Sequence, residues 1–345
     1  RDSGSYADVI RGVQWAVNNA AEYNIRVMNL SLSASPQSHY WDDPLNQAVM
    51  AAWDAGIVVV ASAGNSGPEA QTIGVPGNVP YVITVGAMTD NETPADGSDD
   101  RLASFSAAGP TFEGFVKPEV VAPGGHIMAA MEDDSAIAVA HPEFHNGASF
   151  FSMSGTSQSA ALVSGIAALV LQAEPGLTPD QVKCKIMSSA RPALDNGELA
   201  YSVFQQGAGM VNASDAVYSS EYDCANVGLD VKADLDGSKH FGGRANQDAN
   251  GDFYLMEMDG YLWGNNGVSG KGYLWQNGYL WQNGYLWQSG YLWTNSVDAS
   301  GYLWQNSFAE RSGYLWQNGY LWQNGYLWSS GLSEVMSVNS WVDQE

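Results

Sequence analysis

The sequence is short of cations, cysteines and long apolar runs, and each shortage excludes something. Thirteen Lys and Arg stand against 37 Asp and Glu in 345 residues, a formal charge of −24. Phosphate backbones and anionic membrane surfaces are bound through clustered cations, so neither nucleic acid nor such a membrane fits as a partner. No run of 18 or more consecutive apolar residues occurs, so no transmembrane segment is read. A basic stretch leading into an apolar one is missing at the start, so no signal peptide is visible. The opening Arg1-Asp2-Ser3-Gly4-Ser5 falls in mid-pattern and reads as a cut end. There are only two cysteines, Cys184 and Cys224, with no CxxC pair and no histidine at ligand spacing, which argues against zinc. One disulfide or two buried thiols remain, and the disulfide is preferred. It implies a compartment outside the cytosol, and strong acidity suits a secreted protein in a salty medium.

What is present is a chain of about two domains' length, 45% hydrophobic and 14% charged, able to bury a large core. Residues 1–222 read as alternating helices and strands. Val9, Ile10, Val13, Ala16 and Val17 mark an amphipathic helix, and Arg26 to Leu32 a strand. Pro44 to Ala55 reads as a helix, and Gly56 to Ala61 as a continuous β-branched run of the kind buried in parallel sheets. Tyr81 to Val85 is a further strand, and residues 156–172 form a long apolar helix. Thr178-Pro179-Asp180-Gln181 carries an N-cap, a first-turn proline and a capping-box glutamine. The expected fold is α/β, a mainly parallel sheet with helices on both faces.

Composition then changes. Residues 223–259 are rich in Asp, Asn and Gly and read as a linker or small subdomain, and 332–345 as an acidic tail. Between them, 260–331 hold Gly-Tyr-Leu-Trp nine times, mostly as GYLWQN. Asn-Gly favours a type I′ hairpin turn, and a period of six keeps Tyr and Trp on one strand face. An all-β meander or solenoid follows. Its aromatics are either simply its core or a platform for a polymer or cell-surface ligand.

Two segments carry chemistry. Ser154-Gly155-Thr156-Ser157 opens the long apolar helix, where the positive end of the helix dipole faces Ser157. Asn65 stands in a glycine-rich turn after the buried run Val58 to Ala61, at the strand end where α/β sheets bind ligands. Alone, each also fits a plain cap or turn residue.

Together with Gly12-Val13-Gln14-Trp15-Ala16, Val27 to Leu32, Val60 to Asn65, Thr72 to Gly77, Ala103-Ser104-Phe105-Ser106 and Lys117 to Gly124, taken in order, they closely resemble the subtilisin-like serine peptidases, or subtilases, over about 1–215. The resemblance implies a subtilisin-like fold and a secreted endopeptidase acting on polypeptides through an acyl-enzyme on Ser157. Asn65 and the Ser157 backbone N–H would hold the oxyanion. Ser31, Leu32 and Ser33 would pair with extended substrate, and Ala61, Ser62, Ala63, Gly64 and Gly74 would line the pocket before the cut. No cofactor is required, and a structural calcium with unidentified ligands is compatible with the family.

The sequence departs from the family pattern. The family's His-Gly-Thr-His motif is absent, and Asp2-Ser3-Gly4 aligns with the segment that follows the family's histidine rather than with its aspartate motif. His39, His126, His141, His145 and His240 lie in unrelated contexts. Ala161 stands where the family usually has Pro, and Gln158 where Met is common. The triad Asp and His are therefore expected upstream, and this fragment alone is expected to be inactive and poorly stable. The alternative is an inactive peptidase-like scaffold carrying the aromatic repeat.

Overall fold

The computed structural model describes residues 3–255, apart from 92, 94–98, 148, 196–197 and 249–250, and beyond them 263–264, 267–268, 335–338 and 341–342. In chain order, β1 (Ser3–Ser5) leads into α1 (Tyr6–Tyr23), followed by β2 (Val27–Leu30), β3 (Leu32–Ser33), α2 (Pro44–Asp54), β4 (Val58–Ser62), β5 (Ile83–Thr89), β6 (Arg101–Leu102) and β7 (Val120–Pro123). The hairpin β8 (Ile127–Ala130) and β9 (Phe150–Met153) encloses α3 (Ala136–Ala140) and a 3₁₀ turn, Pro142–Phe144. Then come α4 (Thr156–Ala173), α5 (Pro179–Ser188), β10 (Leu194–Asp195), β11 (Glu198–Leu199), α6 (Val203–Gln206), α7 (Ala213–Tyr218) and α8 (Val231–Leu235). Strands β12 (Ala245–Gln247), β13 (Phe253–Leu255), β14 (Trp263–Gly264), β15 (Gly267–Val268) and β16 (Val335–Val338) complete the described elements.

The central sheet is parallel through β2, β4, β5 and β7, with β6 added antiparallel at the end of β5. Every residue of β4 and β5 is buried, as their apolar composition requires when helices cover both faces. Helix α4 packs across β2, β4, β5 and β7. It is long and apolar enough to cross a membrane by length and composition, yet Ala160, Val163, Ala167 and Val170 are fully buried in this core. The capping box at Thr178 and Gln181 is formed, with both reciprocal hydrogen bonds.

Residues 224–255, the linker-or-subdomain stretch of the sequence reading, pack into the same core through Phe241, Ala245, Phe253 and Leu255. The Asp234 carboxylate accepts from Tyr40 at 2.5 Å and Tyr81 at 2.9 Å and pairs with His240 at 2.7 Å. Burial raises its pKa above the ordinary carboxylate range against these partners. The GYLW repeat lies outside the described residues apart from the short strands β14 and β15, and so does part of the acidic loop 90–100.

Cys184 of α5 and Cys224 are joined in a disulfide, both buried, with Cα atoms 5.2 Å apart. The bridge closes a loop of 40 residues in sequence separation. Constraining such a loop in the unfolded chain contributes about 3–4 kcal/mol on the chain-entropy model. Cys184→Ser/Cys224→Ser is expected to lose that amount in denaturant unfolding, and reductant is expected to lower the parent's midpoint without changing the variant's.

Candidate active site

The site forms where the ends of β4 and β9 meet the start of α4. Strand β4 runs into Ala63 and Gly64, whose φ of 108° lies in the region only glycine adopts without strain. That turn presents Asn65. Its Oδ1 accepts from the Thr156 backbone N–H at 3.0 Å and from Thr156 Oγ1 at 2.8 Å. Thr156 Oγ1 in turn accepts from the Gly64 N–H at 3.2 Å. With its oxygen fixed twice, the Asn65 amide turns Nδ2 toward the turn that opens α4, 3.4 Å from the place a Cβ on Gly155 would occupy.

Ser157 is the second residue of α4 and half-buried. Its backbone carbonyl accepts from Ser31 Oγ at 2.8 Å, which ties the start of α4 to the strand that ends at Leu30. Gly155 donates its N–H to Gly124 at 2.8 Å, fixing the turn to the loop after β7. An 18-residue helix places uncompensated N–H groups and partial positive charge at this end, so charge that develops on an oxygen beside Ser157 is stabilised. Gln158 buries its Oε1 beside Gly155 with no hydrogen-bond partner among the described residues.

The expected binding residues divide. Ser33, Ala63, Gly64 and Gly74 come together: Gly74 donates to Ala63 at 3.0 Å, and a Cβ on Gly74 would lie 1.9 Å from Ser33 Oγ. Ser62 Oγ donates to the Leu32 carbonyl at 3.1 Å, holding β3 beside β4. Ala61 sits inside the sheet between Leu30 and Thr84, fully buried.

No described histidine is hydrogen-bonded to Ser157. His39 faces Glu113 at 3.4 Å and stacks on Trp41, whose other face stacks on His240. Burial lowers the His39 pKa despite Glu113. His145 contacts the Met131 carbonyl at 3.3 Å, His141 stacks on Trp341, and the His126 backbone N–H donates to Ser154 Oγ.

Two features escaped the sequence reading. Thr156 is the clamp on Asn65, legible only as the middle of a Gly-Thr-Ser triplet. Strand β1 lies across from β3, and β16 runs antiparallel between them: Ser337 is opposite both Ser3 and Ser33. The signal in the sequence is the small-residue stretch Ser3-Gly4-Ser5 directly before α1. Among the described residues, no three His, Cys, Asp or Glu side chains gather as a metal site.

The model of the subtilase family matches residues 1–209. The serine protease AprX of Bacillus subtilis is 43% identical over 220 residues, 62% of this chain and 48% of that protein. Subtilisin DY of Bacillus licheniformis is 32% identical over 216 residues, 62% of this chain and 63% of that protein. A solved structure of the patellamide maturation protease PatA is 30% identical, covering 61% of this chain and 67% of that one, with a TM-score of 0.44. This chain thus spans between about half and two thirds of the length of the curated relatives it matches. The match takes in Asn65, Thr156 and Ser157 and both strands β1 and β3: the chain belongs to the subtilase family.

Proposed function

We propose that the protein containing this chain is a secreted serine endopeptidase with Ser157 as its nucleophile. The observation that carries this reading is the Asn65–Thr156 clamp, which aims an amide donor at the helix end that bears Ser157. Ser157 Oγ attacks the scissile carbonyl as its proton passes to a general base, and an acyl-enzyme forms as the amine leaves. The oxyanion is held by Asn65 Nδ2 and the Ser157 N–H. Water then hydrolyses the ester through the same oxyanion geometry. No cofactor is needed for these steps.

The base and the acid that orients it have no counterpart among the described residues, and the match covers only 48% of AprX and 63% of subtilisin DY. We assign both groups to a part of the protein outside it. Without a base, a serine hydroxyl at its ordinary pKa is a poor nucleophile, so residues 1–345 alone are expected to turn over no peptide. Polypeptide substrate binds as a strand against β3, with Ser33, Ala63, Gly64 and Gly74 around the side chain that precedes the cut.

A fluorophosphonate probe tests the reading on a chain extended upstream. Labelling of the parent and none of Ser157→Ala is the expected result. A folded, monodisperse parent that takes no label overturns the peptidase reading and moves the function to the aromatic repeat.

A further inference from the structure

We propose that the C-terminal tail of this chain is a built-in competitor for its own substrate cleft, a reading that rests on the cleft assignment above. Strand β16 fills the gap between β1 and β3 and pairs antiparallel with both: Val335 lies opposite Ser5, Met336 opposite Gly4, Ser337 opposite Ser3 and Ser33, and Val338 opposite Leu32. An extended peptide satisfied on both edges is the arrangement by which strand addition binds substrates. Here the chain's own tail occupies it.

The docking continues past the strand. Val338 faces Leu32, next in sequence to Ser31, whose hydroxyl holds the Ser157 carbonyl. Three residues on, Trp341 is anchored in an aromatic pocket. Its ring stacks on His141 at 3.8 Å between centroids and 7° between planes, lies 5.0 Å from Phe144, and meets Phe151 edge-on at 6.1 Å. Phe151 belongs to β9, the strand that feeds the nucleophile turn. Val342 packs against Phe105, Ala87 and Ala103. Strand and anchor therefore hold the tail at two places, on β1 and β3 and on the 127–153 hairpin with its enclosed helical turns.

A tail joined to the same chain competes at an effective concentration of about 1 mM, so a segment that binds with a Kd near 0.1 mM closes the cleft about tenfold. Such a competitor raises KM and leaves kcat alone. Proline at Ser337 removes a ladder N–H from a strand paired on both sides, and alanine at Trp341 removes the anchor.

The experiment compares the whole protein, extended upstream, with its Trp341→Ala and Ser337→Pro variants. Hydrogen exchange reads the docking without turnover. In the parent, the amides of 335–338 are expected to be protected, and both variants are expected to lose that protection. Kinetics on a peptide substrate read the competition: KM is expected to fall about tenfold in either variant at constant kcat, and a synthetic peptide of residues 333–343 is expected to raise it again. Parent amides at 335–338 that exchange at the unstructured rate overturn the docking. An active parent whose KM matches both variants overturns the competition. Protection that the variants lose, in a protein that cleaves nothing, upholds the docking and overturns only the peptidase reading.

Discussion

Replacing Asn65 with Leu is expected to lower kcat by about 10²–10³, with KM nearly unchanged, in the protein extended to include its general base. The magnitude is that known for the oxyanion asparagine of subtilisin, carried over to this chain. The direction follows from the geometry. Asn65 Oδ1 is already engaged twice by Thr156, so the donor it keeps free is Nδ2. An uncharged amide makes a modest hydrogen bond to a ground-state carbonyl and a stronger, charge-assisted one to an oxyanion. The loss therefore falls on the transition state, which separates kcat from KM. Thr156→Val is the companion variant. It keeps the backbone N–H to Asn65 Oδ1 and removes the hydroxyl, so the amide is held once instead of twice. Its kcat is expected to fall between the parent and Asn65→Leu, again at nearly constant KM. Single-turnover kinetics on an ester substrate check both, and a loss confined to KM in Asn65→Leu would remove Asn65 from the oxyanion site.

The candidate site residues could be read because the proposed chemistry forces local sequence. A nucleophile at a helix start needs small residues in the turn before it, and Gly155 packs where a Cβ would meet Gln158 Oε1 at 2.8 Å. The Asn65 turn needs the positive φ of Gly64 after a buried strand. Such constraints stay within a few residues and can be read in order. The buried run of β4 and the apolar helix α4 were legible for the same reason, since a strand covered on both faces has no polar alternation to hide it.

The contacts that were not legible are those between distant segments. Residues 224–255 contribute few buried side chains, among them Asp234, Phe241 and Phe253, scattered among exposed Asp and Gly that dominate the composition. Nothing in that spacing marks Asp234 as the acceptor for two tyrosines nearly 200 and 150 residues away. The pairing of β16 with β1 and β3 spans more than 300 residues, and a strand of four has too short a period to announce its partner. The histidines could be set aside from sequence only because no family motif surrounded them. The structure supplies the physical reason for His39 and His240, which sandwich Trp41 and face Glu113 and Asp234.

The second large effect concerns a charge cluster that no motif reveals. Glu119, at the entry to β7, is fully buried between two fully buried lysines, with Lys117 Nζ at 2.6 Å and Lys183 Nζ at 2.8 Å from its Oε1. Its other oxygen accepts from the Thr84 N–H at 2.8 Å. Lys183 also donates to the carbonyls of Pro80, Tyr81 and Val82 and to Asn226, so the cluster joins α5, the approach to β5 and the segment after the disulfide. Glu119→Ala removes the carboxylate that both lysines share, and breaking a buried pair in this way costs about 3–5 kcal/mol where both are protonated, less where Lys117 sheds its proton. That is expected as a lower denaturant midpoint at an unchanged slope. The cost depends on pH with a definite sign. Burial pushes the Lys117 pKa down to about 7, with the Lys183 charge adding to it against the attraction of Glu119. An unfolded lysine titrates near 10.4, so between about 7 and 10 the unfolded chain binds the extra proton and stability rises with pH. Below about 7 the folded state carries the charged ammonium and its full desolvation cost. Lys117→Met removes this group from the balance, so the parent's stability measured against that of Lys117→Met is expected to climb from pH 7 to pH 10. In Glu119→Ala the attraction that held the Lys117 pKa up is gone, so the climb is expected to begin at lower pH. A parent-minus-Lys117→Met difference that stays flat across that range would mean that Lys117 keeps its proton throughout, and the cluster would then be a fully charged triad.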